Sequence, residues 1–187
     1  VDPGLGESLS CARFQPATTP CPRELSLLFA AQGGLAVLAL TFLWLTARRL
    51  HARAPVAWLA ALAALFSFEL LKFTNLVLTE ILVFPFFFGC IWCLVLGYQT
   101  GRARWWLATG IFLGLTALTR PEYAYLFYAM AATVTAAALW RRQKQLLFKA
   151  AMLGLGFGLV VAPWLERNYT QFGQASLTGD YADVIFA

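Results

Sequence analysis

"ILVFPFFFGCIWCLVLGY" fills residues 81–98 without a single charged side chain. A helix needs roughly 20 consecutive apolar residues to cross a bilayer core. A second uncharged run, "APVAWLAALAALFSF", fills residues 54–68. The whole chain of 187 residues is 60% hydrophobic and 16% aromatic, with 12% charged residues and a mean hydropathy of +0.69. A soluble domain carries about 25% charged residues. The sequence therefore predicts an all-α, polytopic transmembrane helix bundle. The net charge of +5 is then not a nucleic-acid signal, because loop arginines in such a protein set its orientation.

Six spans can be laid out, at about 24–45, 55–71, 79–98, 105–119, 121–140 and 146–165. Residues 1–23 and 166–187 read as loops flanking the bundle. The first residue is Val1, and no signal pattern opens the chain. The sequence is expected to be an internal piece of a longer protein.

Charge is segregated between the loops. Arg48, Arg49, Arg53, Arg102, Arg104, Arg141, Arg142, Lys144 and Lys149 share one side, with no acid among them. The other side holds Arg13, Arg23, Lys72, Arg120 and Arg167 with all nine acids. The positive-inside rule makes the first side cytoplasmic. Both chain ends and every carboxylate then face outward, as an enzyme acting on external substrates requires. The expected location is a bacterial inner membrane, with the active face extracytoplasmic.

Several motifs carry no chemistry on this reading. Cys90 and Cys93 form C-x-x-C, but a redox pair needs an accessible thiolate, and these fall within an apolar helix. Cys11 and Cys21 lie in the outer loop, where a disulfide is permitted but spacing alone does not decide it. His51 has no partner ligands nearby in sequence, so no metal site is expected. "GLGFG" at 154–158 lacks the preceding strand of a nucleotide loop. The pairs Gly110/Gly114 and Gly154/Gly158 instead have the G-x-x-x-G spacing that lets helices approach closely in lipid. "NYT" at Asn168 matches a glycosylation sequon.

The informative interruption is "LTALTRPEYAYLF", residues 115–127. Thr119 and Glu122 have capping-box spacing, and proline suits a first helical turn, so Thr119-Arg120-Pro121-Glu122 predicts a helix start. Unpaired amides beside a guanidinium suit an anion, above all a phosphate. The alternative reading is that Arg120 merely snorkels or pairs with Glu122. Arg167 in "PWLERNYTQFG", residues 163–173, is expected on the same side, after a helix end weakened by Pro163. Trp164 and Tyr169 suit the interfacial belt. Glu80 opens the third span, where the helix dipole favours a carboxylate. Glu69 and Lys72, three apart, read as a structural pair.

"LTE" at 78–80, "GIFLGLTALTRPE" at 110–122 and "PWLERNYTQFG", in that order, resemble the GT-C glycosyltransferases that use polyprenyl-phosphate sugars. The nearest branch is that of the protein O-mannosyltransferase and aminoarabinose transferase relatives. The likeness covers roughly residues 25 to 179. It implies a multi-helix enzyme moving a sugar from a lipid-phosphate carrier to an unidentified acceptor, with inversion. Arg120 and Arg167 match positions that would hold the carrier phosphate, with Thr119, Pro121, Glu122, Asn168 and Tyr169 supporting them. Glu80 matches a recurring acid. The family's usual catalytic aspartate is expected upstream of "VDPG", so the chain is expected to be incomplete as an enzyme. No cofactor is implied beyond the donor lipid. Two alternatives stay open: a non-catalytic or degenerate membrane subunit, and a transporter of a lipid-linked anion.

Overall fold

A computed structural model describes residues 22–50, 53–65 and 79–177. Six α-helices are present among them: α1 Pro22–Arg49, α2 Ala54–Leu65, α3 Val83–Thr100, α4 Ala103–Thr119, α5 Tyr123–Trp140 and α6 Lys144–Phe172. A 3-10 turn, Thr79–Leu82, opens α3. The described residues include no strand. Four helices, α1, α3, α5 and α6, are long and apolar enough to cross a membrane, and the protein is a membrane helix bundle. The Cys11–Cys21 disulfide left open by the sequence, the expected Glu69–Lys72 pair and His51 lie outside the described residues.

α4 is the central element, packing against α3, α5 and α6. Its 17 residues span about 26 Å, short of the roughly 30 Å hydrocarbon core. Leu113 and Ala117 of α4, Leu153, Phe157 and Val161 of α6, Ala124 of α5 and Cys90 of α3 form one buried cluster. Phe127 stacks on Phe157 with ring centroids 3.8 Å apart. Lipid tails are as apolar as leucine, so close van der Waals fit must hold such helices together. The fit is closest between α4 and α6. A Cβ built on Gly110 would overlap the Leu153 carbonyl oxygen and lie 2.9 Å from the Phe157 nitrogen. One built on Gly156 would overlap the Leu107 carbonyl oxygen and lie 3.0 Å from the Ile111 nitrogen. Gly114 faces Val160 across the same seam.

The expected glycine contacts are therefore half right. Gly110 and Gly114 line a helix contact, whereas Gly154 and Gly158 have open space around them. Polar groups in the seam are satisfied within their own helix. Thr109 and Thr116 are fully buried, and their hydroxyls donate to the Trp105 and Phe112 carbonyls, 2.8 and 2.7 Å away, a back-bond open to threonine in any helix. Cys90 and Cys93 are buried, unpaired thiols, as the apolar setting of the motif predicts.

Arg48, Arg49, Arg102, Arg104, Arg141, Arg142, Lys144 and Lys149 gather at one end of the bundle. Gln99 at the end of α3 donates to the Arg49 carbonyl at the end of α1, 2.8 Å away. Arg48, Arg104 and Lys149 lie over the rings of Trp44, Trp105 and Trp106 at 5.9, 5.2 and 6.0 Å. Such contacts anchor cations beside indoles at a membrane boundary.

Two boundaries differ from expectation. α6 continues through Pro163 to Phe172, so the segment read as a loop from 166 is helical for its first seven residues. Proline removes one backbone bond but does not by itself stop the helix. Gly173 stops it, at φ +73°, its N–H donating to the Tyr169 carbonyl at 2.9 Å. This is the left-handed cap that glycine adopts most easily. The second difference is the start of α5, which bears on the site.

Candidate functional site at the end opposite the basic residues

Arg120 owes its position to Pro121. The residue before a proline is driven into the extended region, and Arg120 has φ −142° and ψ 109°. α4 therefore ends at Thr119, and Arg120 follows as its cap, donating its N–H to the Thr116 carbonyl at 2.9 Å. Residues 120–123 form a β-turn with proline at its second position, a favoured place. It is closed by the Tyr123 N–H donating to the Arg120 carbonyl at 3.1 Å.

This corrects the capping-box expectation. The Thr119 hydroxyl donates back to the Thr116 carbonyl at 2.7 Å, and α5 starts at Tyr123 with no side-chain cap. The proposed anion-binding amides are also engaged. The N–H groups of Ala124 and Tyr125 donate to the Pro121 and Glu122 carbonyls at 3.0 and 3.2 Å. Arg120 itself is half-buried and stands beside the positive end of the α5 dipole. Glu122 is exposed.

α4 and α6 run in the same direction, because Gly110 meets residues around Leu153 and Gly114 meets Phe157 and Val160. Continuing that pairing six residues further brings Arg120 level with about 163–166 on α6, and Arg167 follows at once. The two arginines therefore share one end of the bundle, on adjacent helices. Arg167 is exposed, and its guanidinium lies 4.9 Å from the centre of the Trp164 ring.

The 3-10 turn that carries Glu80 contacts both α1 and α4. Ile81, 2% exposed, packs with Ala36 of α1. Ile81 lies 19 residues from Thr100, about 28 Å along the helix, and Arg120 lies 17 residues past Ala103, about 26 Å. The Glu80 turn and Arg120 are thus at the same level, away from the basic end. The turn is 3-10 rather than the first turn of an α-helix, which tightens the entry to α3.

The supporting residues divide. Asn168 is buried, and its side-chain amide donates to the Ser176 carbonyl at 2.8 Å. The sequon reading fits poorly with an amide used in this way. Tyr169 is exposed and joins no contact with the arginines. Sequence reasoning passed over Gln32, which is only 4% exposed on α1, one turn beyond Ala36 towards this end. A lone amide in a long apolar run is the signal that could have found it, since polar groups at membrane depth mark function.

The profile of the family described as dolichyl-phosphate-mannose-protein mannosyltransferase matches residues 25–166. No curated protein matches the chain, and no solved structure does.

Proposed function

The chain belongs to the dolichyl-phosphate-mannose-protein mannosyltransferase family, membrane glycosyltransferases of the GT-C type, and from this we propose a donor, a direction and a side. The donor is a polyprenyl-phosphate sugar. The sugar passes to an acceptor hydroxyl on the extracytoplasmic side of the membrane, with the basic end of the bundle in the cytoplasm. One observation supports this above others: the Glu80 turn, Arg120 and Arg167 share the end of the bundle away from the basic loops.

The chemistry asks for two things at that end. As the bond between the sugar's anomeric carbon and the phosphate oxygen breaks, negative charge grows on the departing lipid phosphate. Guanidinium groups placed there stabilise it, which is the role we assign to Arg120 and Arg167. The acceptor oxygen forms the new bond to that carbon and gives its proton to a carboxylate base. Glu80 is the candidate within this chain, and an acid elsewhere in the protein can share or take that role.

Full-length protein given a panel of polyprenyl-phosphate sugars is expected to consume one donor and release polyprenyl phosphate. Consumption of none would sink the assignment. Sidedness has its own check. In sealed cells, cysteine at position 170 should react with an impermeant maleimide added outside, and cysteine at position 102 should not. The reverse pattern would invert the arrangement.

A further inference from the structure

Gly173 turns the chain after α6, and the following residues are tied back onto that helix. The Asn168 amide donates to the Ser176 carbonyl at 2.8 Å. The Trp164 indole N–H donates to the Leu177 carbonyl at 3.4 Å. Leu177 packs against the buried cluster of α4 and α6. Residues 174–177 thus form a short strap with three attachments, one of them on the ring that carries the Arg167 guanidinium at 4.9 Å. On its other side, the Arg167 carbonyl accepts the Thr170 hydroxyl at 2.9 Å.

We propose that Trp164 and Asn168 are positioning residues for Arg167, acting through this strap. The inference rests on the assignment of Arg167 to the donor phosphate and adds how that cation is held. A long arginine side chain at a membrane boundary loses considerable conformational freedom when it is fixed. A ring beneath the guanidinium offsets that loss, provided the ring itself is held. An indole is free to rotate about two side-chain bonds, and the bond from its N–H to the Leu177 carbonyl restricts that motion. The Asn168 side-chain amide bonds the strap, at the Ser176 carbonyl, and not the Arg167 guanidinium. It pins the strap one turn further along, in a buried place where an amide must keep its partner.

The test uses the full-length protein and two independent readouts. The first is the rate at which phenylglyoxal modifies Arg167, followed by mass spectrometry of that peptide. The second is donor KM set against kcat. Trp164→Leu removes the ring face, Asn168→Leu removes the strap bond, and Trp164→Phe keeps a face but loses the N–H. An exposed cation–π contact corresponds to about a two- to fivefold change in an equilibrium. Trp164→Leu and Asn168→Leu are expected to speed Arg167 modification and lower donor kcat/KM by about that factor, with kcat bearing the loss because the cation is needed most as the sugar leaves, and Trp164→Phe should fall between them and wild type. Unchanged modification in both leucine variants, or in Trp164→Phe and Asn168→Ser should the leucine variants not fold, overturns the inference. Faster modification with an unchanged donor kcat/KM supports the positioning of Arg167 and overturns its phosphate role.

Discussion

A Gly156→Val protein is expected to be strongly destabilised and to yield much less folded material than wild type. The added carbons would enter the α4 backbone, because a Cβ at Gly156 would overlap the Leu107 carbonyl oxygen and lie 3.0 Å from the Ile111 amide nitrogen. Both belong to a helix whose hydrogen bonds fix them, so neither can rotate aside as a side chain would. The helices must separate, and the separation reaches Gly110, whose own clearance is set by Leu153 and Phe157. Overpacking a core costs about 1–3 kcal/mol and sometimes more, against a total stability of about 5–15 kcal/mol. Gly156→Ala should lower the thermal midpoint measurably, and valine should lower it further. Gly154→Val and Gly158→Val are the controls, since nothing lies within 4 Å of either position. Monodisperse elution in detergent and the thermal midpoint are the measurements. Equal behaviour of the variants at 156 and 158 would mean that the α4–α6 seam does not hold the bundle together.

That prediction marks where the sequence was readable and where it misled. Spacing identified Gly110 and Gly114 correctly because both fall on the face of α4 that meets α6. The same spacing selected Gly154 and Gly158, which point away from the row formed by Leu153, Gly156, Phe157 and Val161. With a helix apolar on most sides, hydrophobicity does not say which stripe is the seam. Only the partner helix decides that, and it decides for the single Gly156. The helical class was legible, and so, among the described residues, was the placing of the loop cations at one end with Glu122 and Glu166 at the other, because both follow from composition along the chain, without any tertiary contact.

The site was legible in part, for a related reason. Arg120 and Arg167 could be assigned to one end by counting spans, and the parallel packing of α4 and α6 agrees with that count. The local geometry around Arg120 could not be read from the capping pattern. Thr119 and Glu122 have the right spacing, but Pro121 lies between them and forces Arg120 to be extended. That constraint ends α4 and makes a turn, so Thr119 belongs to the preceding helix. The end of α6 was misjudged on the opposite error. Pro163 reads in sequence as weakening the end of the helix, yet the helix runs through it to Phe172. The extra seven residues lift the Asn168–Ser176 bond about 4 Å beyond the expected end of the span, and no local pattern announces that bond.

In the full-length protein, Arg120→Ala and Arg167→Ala are each expected to reduce kcat/KM for a polyprenyl-phosphate sugar about ten- to a hundredfold. A hydrogen bond to a charged group is worth about 1.5–3 kcal/mol, and the charge on the lipid phosphate increases as the sugar leaves. The two residues should differ in what else they change. Arg167 is exposed and rests on one ring, so its alanine variant should keep the wild-type thermal midpoint. Arg120 is half-buried at the junction of α4 and the turn, so some loss of stability is expected with the loss of turnover. Lysine separates the two contributions at position 120. It keeps the charge but loses the planar fork that grips two phosphate oxygens, so Arg120→Lys should recover part of the rate and most of the stability. The double alanine variant should lose less than the product of the single losses if both cations serve one phosphate, because residues acting on a shared group are not additive. Full additivity would assign them to separate anions. Normal donor use by both single alanine variants would remove the phosphate from this end of the bundle altogether.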